Sequence, residues 1–271
     1  MTRSPADRPA GDPPFRPRVA AASLSGRSDA AWARAAAPYV GAAVLGGIAL
    51  DEPTRAAARE LVARDRVEFL PPDPLAFVDA QLGALADAPL RPGFNVRAAS
   101  PEPVRAAARV CRDYGAVLEV NAHCRQEEMC AAGAGESLLR DGDRLQAYVA
   151  AAAGTGATVS VKVRAGVPGV DLPALARRVA AAGADLVHVD AMDSEPVVGE
   201  VAAATDAAVV ANNEVRDRAS VREYLDYGAD AVSVGRPSDD PVVLRRVADA
   251  VAEWFDESPE QVAGVGGGAR D

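Results

Sequence analysis

The sequence predicts a closed (β/α)8 barrel, in which eight parallel strands are each followed by a helix. The chain has 271 residues, a usual length for a single barrel of this class. Eight short apolar segments recur along it, and a helical pattern follows each of them. Because the segments are apolar throughout, we expect strands that are buried on both faces and pair in parallel.

The predicted elements alternate along the chain. The first apolar run ends in a turn, residues 25–29, whose Ser and Asp side chains are N-cap candidates for the first helix. Residues 67–88 are less regular, because three prolines precede an apolar helix there. We predict strands at residues 18–24, 40–45, 93–97, 116–121, 157–164, 186–189, 208–211 and 231–234. We predict helices at residues 30–37, 53–64, 75–85, 102–114, within 137–154, and at 172–182, 195–205, 220–227 and 241–255.

An open, doubly wound sheet is the alternative to the barrel. Such a sheet carries a glycine-rich dinucleotide fingerprint in its first strand-to-helix turn. The turn after the first predicted strand, SLSGRSD, lacks that pattern. We therefore expect one barrel domain over residues 17–256, with a flexible N-terminal tail over residues 1–16 and a C-terminal tail over residues 257–271.

The chain is acidic, with a net charge of −10, and its 29 basic residues comprise one lysine and hence 28 arginines. This skew resembles the proteome of a salt-loving archaeon, in which acidity keeps proteins soluble. An acidic surface argues against nucleic-acid binding in ordinary salt, and less strongly so at high salt. No apolar run approaches the roughly 20 residues of a membrane span, and the N-terminus lacks the apolar centre of a signal peptide. We expect a cytoplasmic protein with reduced cysteines and no membrane partner.

The scarce polar side chains fall at the carboxyl ends of the predicted strands, where (β/α)8 enzymes place their chemistry. Polar residues at strand ends occur in any barrel, but here both histidines, the single lysine and a cysteine converge on one face. This convergence predicts an active site organised around residues 119–139. In chain order the candidates are Asn95, Asn121, His123, Cys124, Lys162, Arg164, His188, Asn212, Asn213, Gly235 and Arg236.

Lys162 lies in the segment VSVKVRAG, whose alternation places it inward between two outward-facing valines. Its ammonium is therefore expected to project into the barrel mouth, where a buried lysine must be paired or neutral. In a chain that otherwise uses arginine, a retained lysine indicates a need for a compact donor. The alternative is that it is a remnant of codon bias.

The cysteines and histidines do not predict a metal centre or a cysteine protease. Cys111, Cys124 and Cys130 contain no C-x-x-C pair, so a structural zinc site is not expected. His123 and Cys124 are adjacent in sequence and cannot easily form a hydrogen-bonded nucleophile and base.

The residues resemble a known family, the tRNA-dihydrouridine synthases, over residues 17–255. In that family strand four ends in Asn-x-Gly-Cys-Pro, followed by Gly-Ala-Gly and Leu-Leu. The corresponding residues here are Asn121-Ala-His123-Cys124-Arg125, Gly133-Ala134-Gly135 and Leu138-Leu139. Val161-Lys162-Val163-Arg164 resembles the family's Val-Lys-x-Arg, and His188 resembles its strand-six His. Asn212-Asn213-Glu214 is similar to its Asn-Gly-Asp, and Gly235-Arg236-Pro237 is similar to its Gly-Arg-Gly. Asn95 stands where the family has a Gln on strand three.

The resemblance implies a flavin enzyme with FMN at the barrel mouth and NADPH or NADH as the electron donor. Cys124 is implied to be the general acid, which protonates one carbon of the uridine 5,6 double bond while reduced flavin delivers hydride to the other. The resemblance implies that Asn121 binds substrate, and we also predict substrate contacts from Arg164 and from His123 and Arg125, which depart from the family pattern. The residues implied to bind FMN are Ala22, Ser23, Asn95, Lys162, His188, Asn212, Asn213, Gly235 and Arg236.

Departures from the family pattern leave the substrate open. His123 and Arg125 stand where the family has Gly and Pro, Pro237 stands where it has Gly, and the family's helical tRNA-gripping domain has no counterpart in this sequence. One hypothesis is a dihydrouridine synthase that acts on tRNA. The second is a flavin oxidoreductase acting on a small free pyrimidine or pterin-like ring, and the third is a flavin-free barrel that binds a phosphorylated metabolite.

Overall fold

The computed structural model describes residues 14–257, which form a closed barrel of eight parallel strands. Each strand pairs with the next, and the last pairs with the first, which excludes an open sheet. The predicted (β/α)8 barrel is therefore confirmed. The strands are β1 (Val19–Ala21), β2 (Ala42–Ala49), β3 (Arg91–Arg97), β4 (Val117–Asn121), β5 (Thr158–Arg164), β6 (Leu186–Asp190), β7 (Ala208–Asn212) and β8 (Ala231–Val234).

Helices surround the barrel, and aspartate begins many of them. At seven helix starts an Asp side chain accepts a backbone N–H from the first turn, which satisfies a donor that has no partner within the helix. The helices are α1 (Ala30–Ala36), α2 (Glu52–Val62), α3 (Pro74–Gly83), α4 (Pro101–Asp113), α5 (Glu127–Ala131), α6 (Ser137–Arg140), α7 (Gly142–Ala153), α8 (Leu172–Ala181), α9 (Val197–Ala204), α10 (Arg218–Asp226) and α11 (Pro241–Glu257).

The inside of the barrel is apolar at its amino-terminal end. One residue from each of six strands packs there in a single cluster, which Phe15 closes from below. The strand residues in this cluster are Ala20, Ala42, Val117, Leu186, Val210 and Ala231. Above this layer the inward positions become polar, so the chemistry is confined to the carboxyl-terminal mouth.

The predicted tails lie mainly outside the described residues, which exclude residues 1–13 and 258–271. Phe15 falls within the predicted N-terminal tail but is 8% exposed. The packed part of the chain therefore begins before residue 17. Among residues 14–257, none of the helices has both the length and the apolar character that crossing a bilayer requires.

Candidate active site

A buried hydrogen-bond network fills the polar layer of the barrel, and Glu119 on β4 lies at its centre. Its Oε1 accepts from Asn95 Nδ2 on β3 at 2.7 Å, and its Oε2 accepts from Ser160 Oγ on β5 at 3.2 Å. His188 Nδ1 on β6 lies 2.7 Å from the same Oε2. Since β4 and β6 are not neighbouring strands, this last bond crosses the barrel interior.

The network continues from His188 to the far side of the barrel. His188 Nε2 lies 2.7 Å from Ser233 Oγ on β8, and Asn212 Nδ2 on β7 donates to the same hydroxyl at 2.7 Å. At the other end, Asn121 Nδ2 donates to Asn95 Oδ1 at 2.9 Å. The chain of bonds thus links β3, β4, β6, β7 and β8 beneath the mouth.

Charge decides where the protons of this network lie. Burial alone would raise the pKa of Glu119, but His188, Lys162 and the Asn95 bond hold that pKa at about 2. Burial lowers the pKa of His188, against the opposing charge of Glu119. A neutral His188 therefore donates from Nδ1 to the Glu119 carboxylate and accepts at Nε2 from the Ser233 hydroxyl.

The loop after β4 is shaped by Asn121. Its Oδ1 accepts the backbone N–H of Cys124 at 2.9 Å and that of His123 at 3.2 Å. This side-chain turn fixes the path of the predicted catalytic loop. The amide oxygen is committed to the loop and one amide hydrogen to Asn95, so a single Nδ2 hydrogen of Asn121 is left for the predicted substrate contact.

The Gly133-Ala134-Gly135 turn holds this loop from the other side. Glu136 N–H donates to Cys124 O at 2.7 Å, and a Cβ on Gly135 would lie 2.3 Å from that same carbonyl oxygen. The Glu136 carboxylate also pairs with Arg164 at 2.7 Å. The structure thus engages Arg164, a predicted substrate ligand, in holding the loop.

The Cys124 thiol lies in a mainly apolar setting at the edge of the mouth. It is 9% exposed, packs with Ala57, Leu61 and Met129, and donates to Gln126 Oε1. Burial raises the pKa of the thiol, although the nearby Arg97 charge acts to lower it. A thiol with a raised pKa keeps its proton at neutral pH, as a general acid requires.

A buried ion pair lies beside the thiol. Arg97 at the end of β3 and Glu68 in the loop before α3 are each 1% exposed, and Arg97 Nη1 donates to Glu68 Oε1 at 3.2 Å. Arg97 Nη2 also donates to Gly47 O at 2.6 Å. The guanidinium is thereby fixed over the β2–β3 side of the mouth.

Lys162 on β5 points into the barrel, as predicted, and is 4% exposed. Among residues 14–257 its ammonium has no hydrogen bond or ion pair within salt-bridge distance. Its charge nevertheless lowers the pKa of both Glu119 and Asp190. A buried, unpartnered ammonium at the mouth is a donor prepared for an anionic or carbonyl group of a ligand.

His123 forms a second pair across the top of β5. Its Nε2 lies 2.6 Å from Asp190 Oδ2, at the end of β6. Arg125, two residues further on, is exposed. Both of these departures from the family pattern therefore lie at the mouth beside Cys124.

The remaining predicted FMN residues lie at the ends of β1, β7 and β8. Ala22 N–H donates to Val234 O at 2.9 Å, which places Ala22 and Ser23 beside the end of β8. Asn213 has a φ of +111°, and its side chain donates to Met192 O. Gly235 faces open space, since an added Cβ would meet nothing nearer than 4.0 Å, and Arg236 begins an exposed 3₁₀ turn.

Sequence reasoning missed the acidic members of the site and Ser233. Glu119 precedes Asn121 by two residues and Asp190 follows His188 by two, so period-two alternation places each on the same inward face as a predicted residue. The alternation that predicted an inward Lys162 would also have predicted Glu119 and Asp190. No comparable local signal pairs Glu68 with Arg97, because 29 residues separate them.

The fold and the mouth together define a (β/α)8 barrel with a polar, partly charged active-site layer at the carboxyl ends of its strands. The sequence profile described as "Dihydrouridine synthase (Dus)" matches residues 93–265, which is more than half of the chain. The chain belongs to the dihydrouridine synthase family.

One curated relative agrees with this assignment, and solved structures share the fold. A probable tRNA-dihydrouridine synthase of Rhodobacter capsulatus is 30% identical over 184 residues, which cover 62% of this chain and 56% of that relative. The chain thus spans about half the length of this curated relative. The structure of morphinone reductase in complex with tetrahydroNAD aligns with a TM-score of 0.61 at 13% identity, covering 88% of each chain. A tryptophan synthase complex from Pyrococcus furiosus aligns with a TM-score of 0.54 at 13% identity, over 89% of this chain and 99% of that one. These structural likenesses concern the fold alone.

Proposed function

We propose that the protein is an FMN-dependent oxidoreductase that reduces the 5,6 double bond of uridine in tRNA. Membership of the dihydrouridine synthase family and the name of the Rhodobacter relative support this activity. The observation that carries the proposal is the β4 loop, which holds Cys124 at the mouth as a protonated thiol. Asn121 and Glu136 fix the position of that acid from two sides.

The residues at the mouth fit FMN. Lys162 offers a buried ammonium without a protein partner among the described residues, which suits a polar edge of the ring system or a phosphate. Gly235 leaves open space at the end of β8, and the adjacent Arg236 guanidinium suits a phosphate, as the late loops of such barrels commonly do. Pro237 lacks an N–H, so one backbone donor is absent from this turn. Asn95 and His188 lie below these groups and would support them from within the network.

The bound flavin would supply hydride, which NADPH or NADH replenishes. The chain's own contribution is orientation and a proton. Cys124 gives its proton to the ring carbon, and Arg97 beside it stabilises the thiolate that remains. Solvent then returns a proton to the thiolate.

A small free pyrimidine or pterin-like ring is the second candidate substrate. His123 and Arg125 favour it, because they place an imidazole that is 31% exposed and an exposed guanidinium beside the acid, where the family pattern has small residues. Such side chains reduce the room for a nucleotide flipped out of a larger RNA.

Flavin is tested by colour. Protein purified in high salt is expected to be yellow and to release FMN on denaturation, whereas a colourless protein that does not take up FMN would favour the flavin-free barrel. Cys124→Ala is expected to retain the flavin and lose turnover. Retained turnover in that variant would refute the acid role.

The substrate is tested in cells and in solution. Mass spectrometry of tRNA nucleosides from a strain lacking the gene is expected to show loss of dihydrouridine at one or more positions. Unchanged dihydrouridine, together with flavin reoxidation by a free pyrimidine, would replace tRNA with the small-molecule substrate.

A further inference from the structure

The pair formed by His123 and Asp190 is built into the mouth of the barrel. His123 Nε2 and Asp190 Oδ2 are 2.6 Å apart, and the bond passes over the end of β5 because the two residues follow β4 and end β6. Asp190 Oδ1 accepts the Met192 backbone N–H at 3.3 Å. The carboxylate is thus anchored at one oxygen and orients the imidazole with the other.

The surrounding charges make this imidazole a neutral acceptor. Burial lowers the pKa of His123, Asp190 opposes that shift, and the charge of Lys162 reinforces it. The pKa of Asp190 is itself lowered, because His123 and Lys162 outweigh its burial. The neutral ring therefore donates from Nε2 to an ionised Asp190, and Nδ1 is left with its lone pair. Among residues 14–257, Nδ1 has no hydrogen-bond partner.

We propose that His123, held by Asp190, reads an N–H group of the substrate ring and so restricts the site to uracil-type rings with a free imide. This inference rests on the proposed function and narrows its substrate class. The free Nδ2 hydrogen of Asn121 is a donor that suits a ring carbonyl group of the substrate. An imide also presents an N–H between its two carbonyl groups, and Nδ1 supplies the acceptor that this N–H needs.

Other rings are disfavoured by the same geometry. A cytosine-type ring presents a nitrogen lone pair where uracil has its N–H, so two acceptors would face each other. An N3-methylated uracil has no hydrogen to donate and leaves Nδ1 buried without a partner. A missing bond of this kind weakens binding by about tenfold or more.

The test uses the fact that the chain contains two histidines. Protein labelled with ¹⁵N-histidine gives signals from only His123 and His188, and a His123→Leu variant assigns them. We expect His123 at neutral pH to carry its proton on Nε2 and none on Nδ1. Uridine is expected to shift the Nδ1 signal and to bind about tenfold or more tightly than N3-methyluridine.

Two variants distinguish a loss of imide recognition from a general loss of structure. Asp190→Ala is expected to reduce the preference for uridine over N3-methyluridine to about twofold or less, because the ring is no longer held. Asp193→Ala removes an exposed carboxylate three residues further along and is expected to retain the full preference. The inference is overturned if Nδ1 of His123 is protonated at neutral pH. It is also overturned if uridine and N3-methyluridine shift the Nδ1 signal equally, or if neither shifts it.

The same measurements distinguish this inference from the proposed function. The protonation state of His123 is read without flavin, whereas FMN content and flavin reoxidation test the enzyme activity. A yellow, active protein with Nδ1 protonated would keep the function and discard imide recognition by His123. A protein that never binds FMN, yet prefers uridine through Nδ1, would discard the proposed function and keep imide recognition by His123.

Discussion

Glu119 is an ionised carboxylate in the middle of a barrel core, where an isolated charge would be strongly unfavourable. Three neighbours make it tolerable, since Asn95, Ser160 and His188 donate to its two oxygens. The charge of Lys162 adds to their effect. Its role is to orient the polar layer on which the mouth is built, so its removal affects several site residues at once.

Stability should depend on the ionisation of Glu119. Its folded pKa is about 2, below the ordinary value of 4.5, so the unfolded chain binds the proton more readily. The stabilisation is therefore present above about pH 4.5 and is lost as the pH falls toward 2. Urea unfolding at successive pH values is expected to show this loss.

Glu119→Gln should remove that pH dependence and lower the free energy of unfolding by about 3 kcal/mol or more, because the buried Lys162 ammonium loses a nearby counter-charge and three buried donors lose a charged acceptor. Glu60→Gln, at an exposed position, is the matched control. A Glu119→Gln variant with unchanged stability, or with the original acid limb intact, would contradict the central role of this carboxylate.

Breaking the ion pair between Arg97 and Glu68 should lower the free energy of unfolding far more than breaking an exposed ion pair. Both side chains are 1% exposed, so Glu68→Gln leaves a buried guanidinium without its counter-charge. We expect a loss of about 3 to 5 kcal/mol in the free energy of unfolding. In the exposed pair, Arg218 is 57% and Glu253 is 42% exposed. Glu253→Gln should cost less than about 1 kcal/mol, and equal losses in the two variants would refute the distinction.

Single residues show what the sequence could and could not predict. The inward placement of Lys162 was predictable from alternation along one strand, and the structure confirms it, because the Lys162 charge acts on Glu119 inside the barrel. The ion pair of Arg164 was not predictable, because its partner Glu136 lies in a different loop 28 residues earlier. Alternation along a strand is local information, whereas pairing between loops depends on the closed barrel.

At the scale of elements, the Gly133-Ala134-Gly135 turn acts as a clasp on the β4 loop. Gly135 has a φ of +61° and lies against Cys124 O, which accepts the Glu136 N–H. Only a residue without Cβ permits this approach. In this chain the Gly133-Ala134-Gly135 motif therefore positions the loop that carries the cysteine.

Gly135→Ala should therefore move the acid without removing it. A Cβ would lie 2.3 Å from Cys124 O, so the loop must shift. We expect turnover to fall at least about tenfold, since a small displacement of a catalytic group is costly, while FMN stays bound.

Gly156→Ala is the matched control for this change. Gly156 lies before β5, at the far end of the barrel, and has a φ of +81°. A Cβ added there would lie 3.9 Å from the nearest atom. Gly156→Ala should incur a similar backbone strain of about 1 kcal/mol and keep full activity. Equal turnover in the two variants would show that the clasp does not position Cys124.

Element boundaries were predicted best where strand and helix patterns were simple. The strand at residues 231–234 and the helix beginning at residue 172 match β8 and α8. The strand at 40–45 was predicted too short, because β2 continues through Gly46 and Gly47 to Ala49. Helix α5 was missed, since five residues carry little periodicity, and the region 137–154 is divided because Asp141 caps α7.

At the scale of the whole molecule, the barrel was predictable because repetition carries the information. Eight apolar runs that alternate with helical patterns predict a parallel sheet, and closure through β1 and β8 leaves no edge. The substrate was less predictable from the same pattern. It depends on departures such as His123, whose partner Asp190 lies 67 residues away.

The net charge of −10 predicts that salt stabilises the folded protein. Like charges on a compact surface repel one another, and the screening length shrinks from about 10 Å at 0.1 M salt to about 3 Å at 1 M. Salt also weakens exposed ion pairs, but each contributes at most about 1 kcal/mol, and the buried pair of Arg97 and Glu68 is shielded from it. Relief of repulsion should therefore dominate, and the urea midpoint is expected to rise with potassium chloride.

A variant with less charge tests that cause directly. Four exposed carboxylates, Glu60, Asp193, Asp206 and Asp226, can be changed to amides, which moves the net charge from −10 to −6. If repulsion is the cause, this variant gains stability in low salt and responds less to added salt than the original chain. If both proteins respond equally, salt acts through apolar burial instead, and the acidic composition is not what couples this barrel to its ionic surroundings.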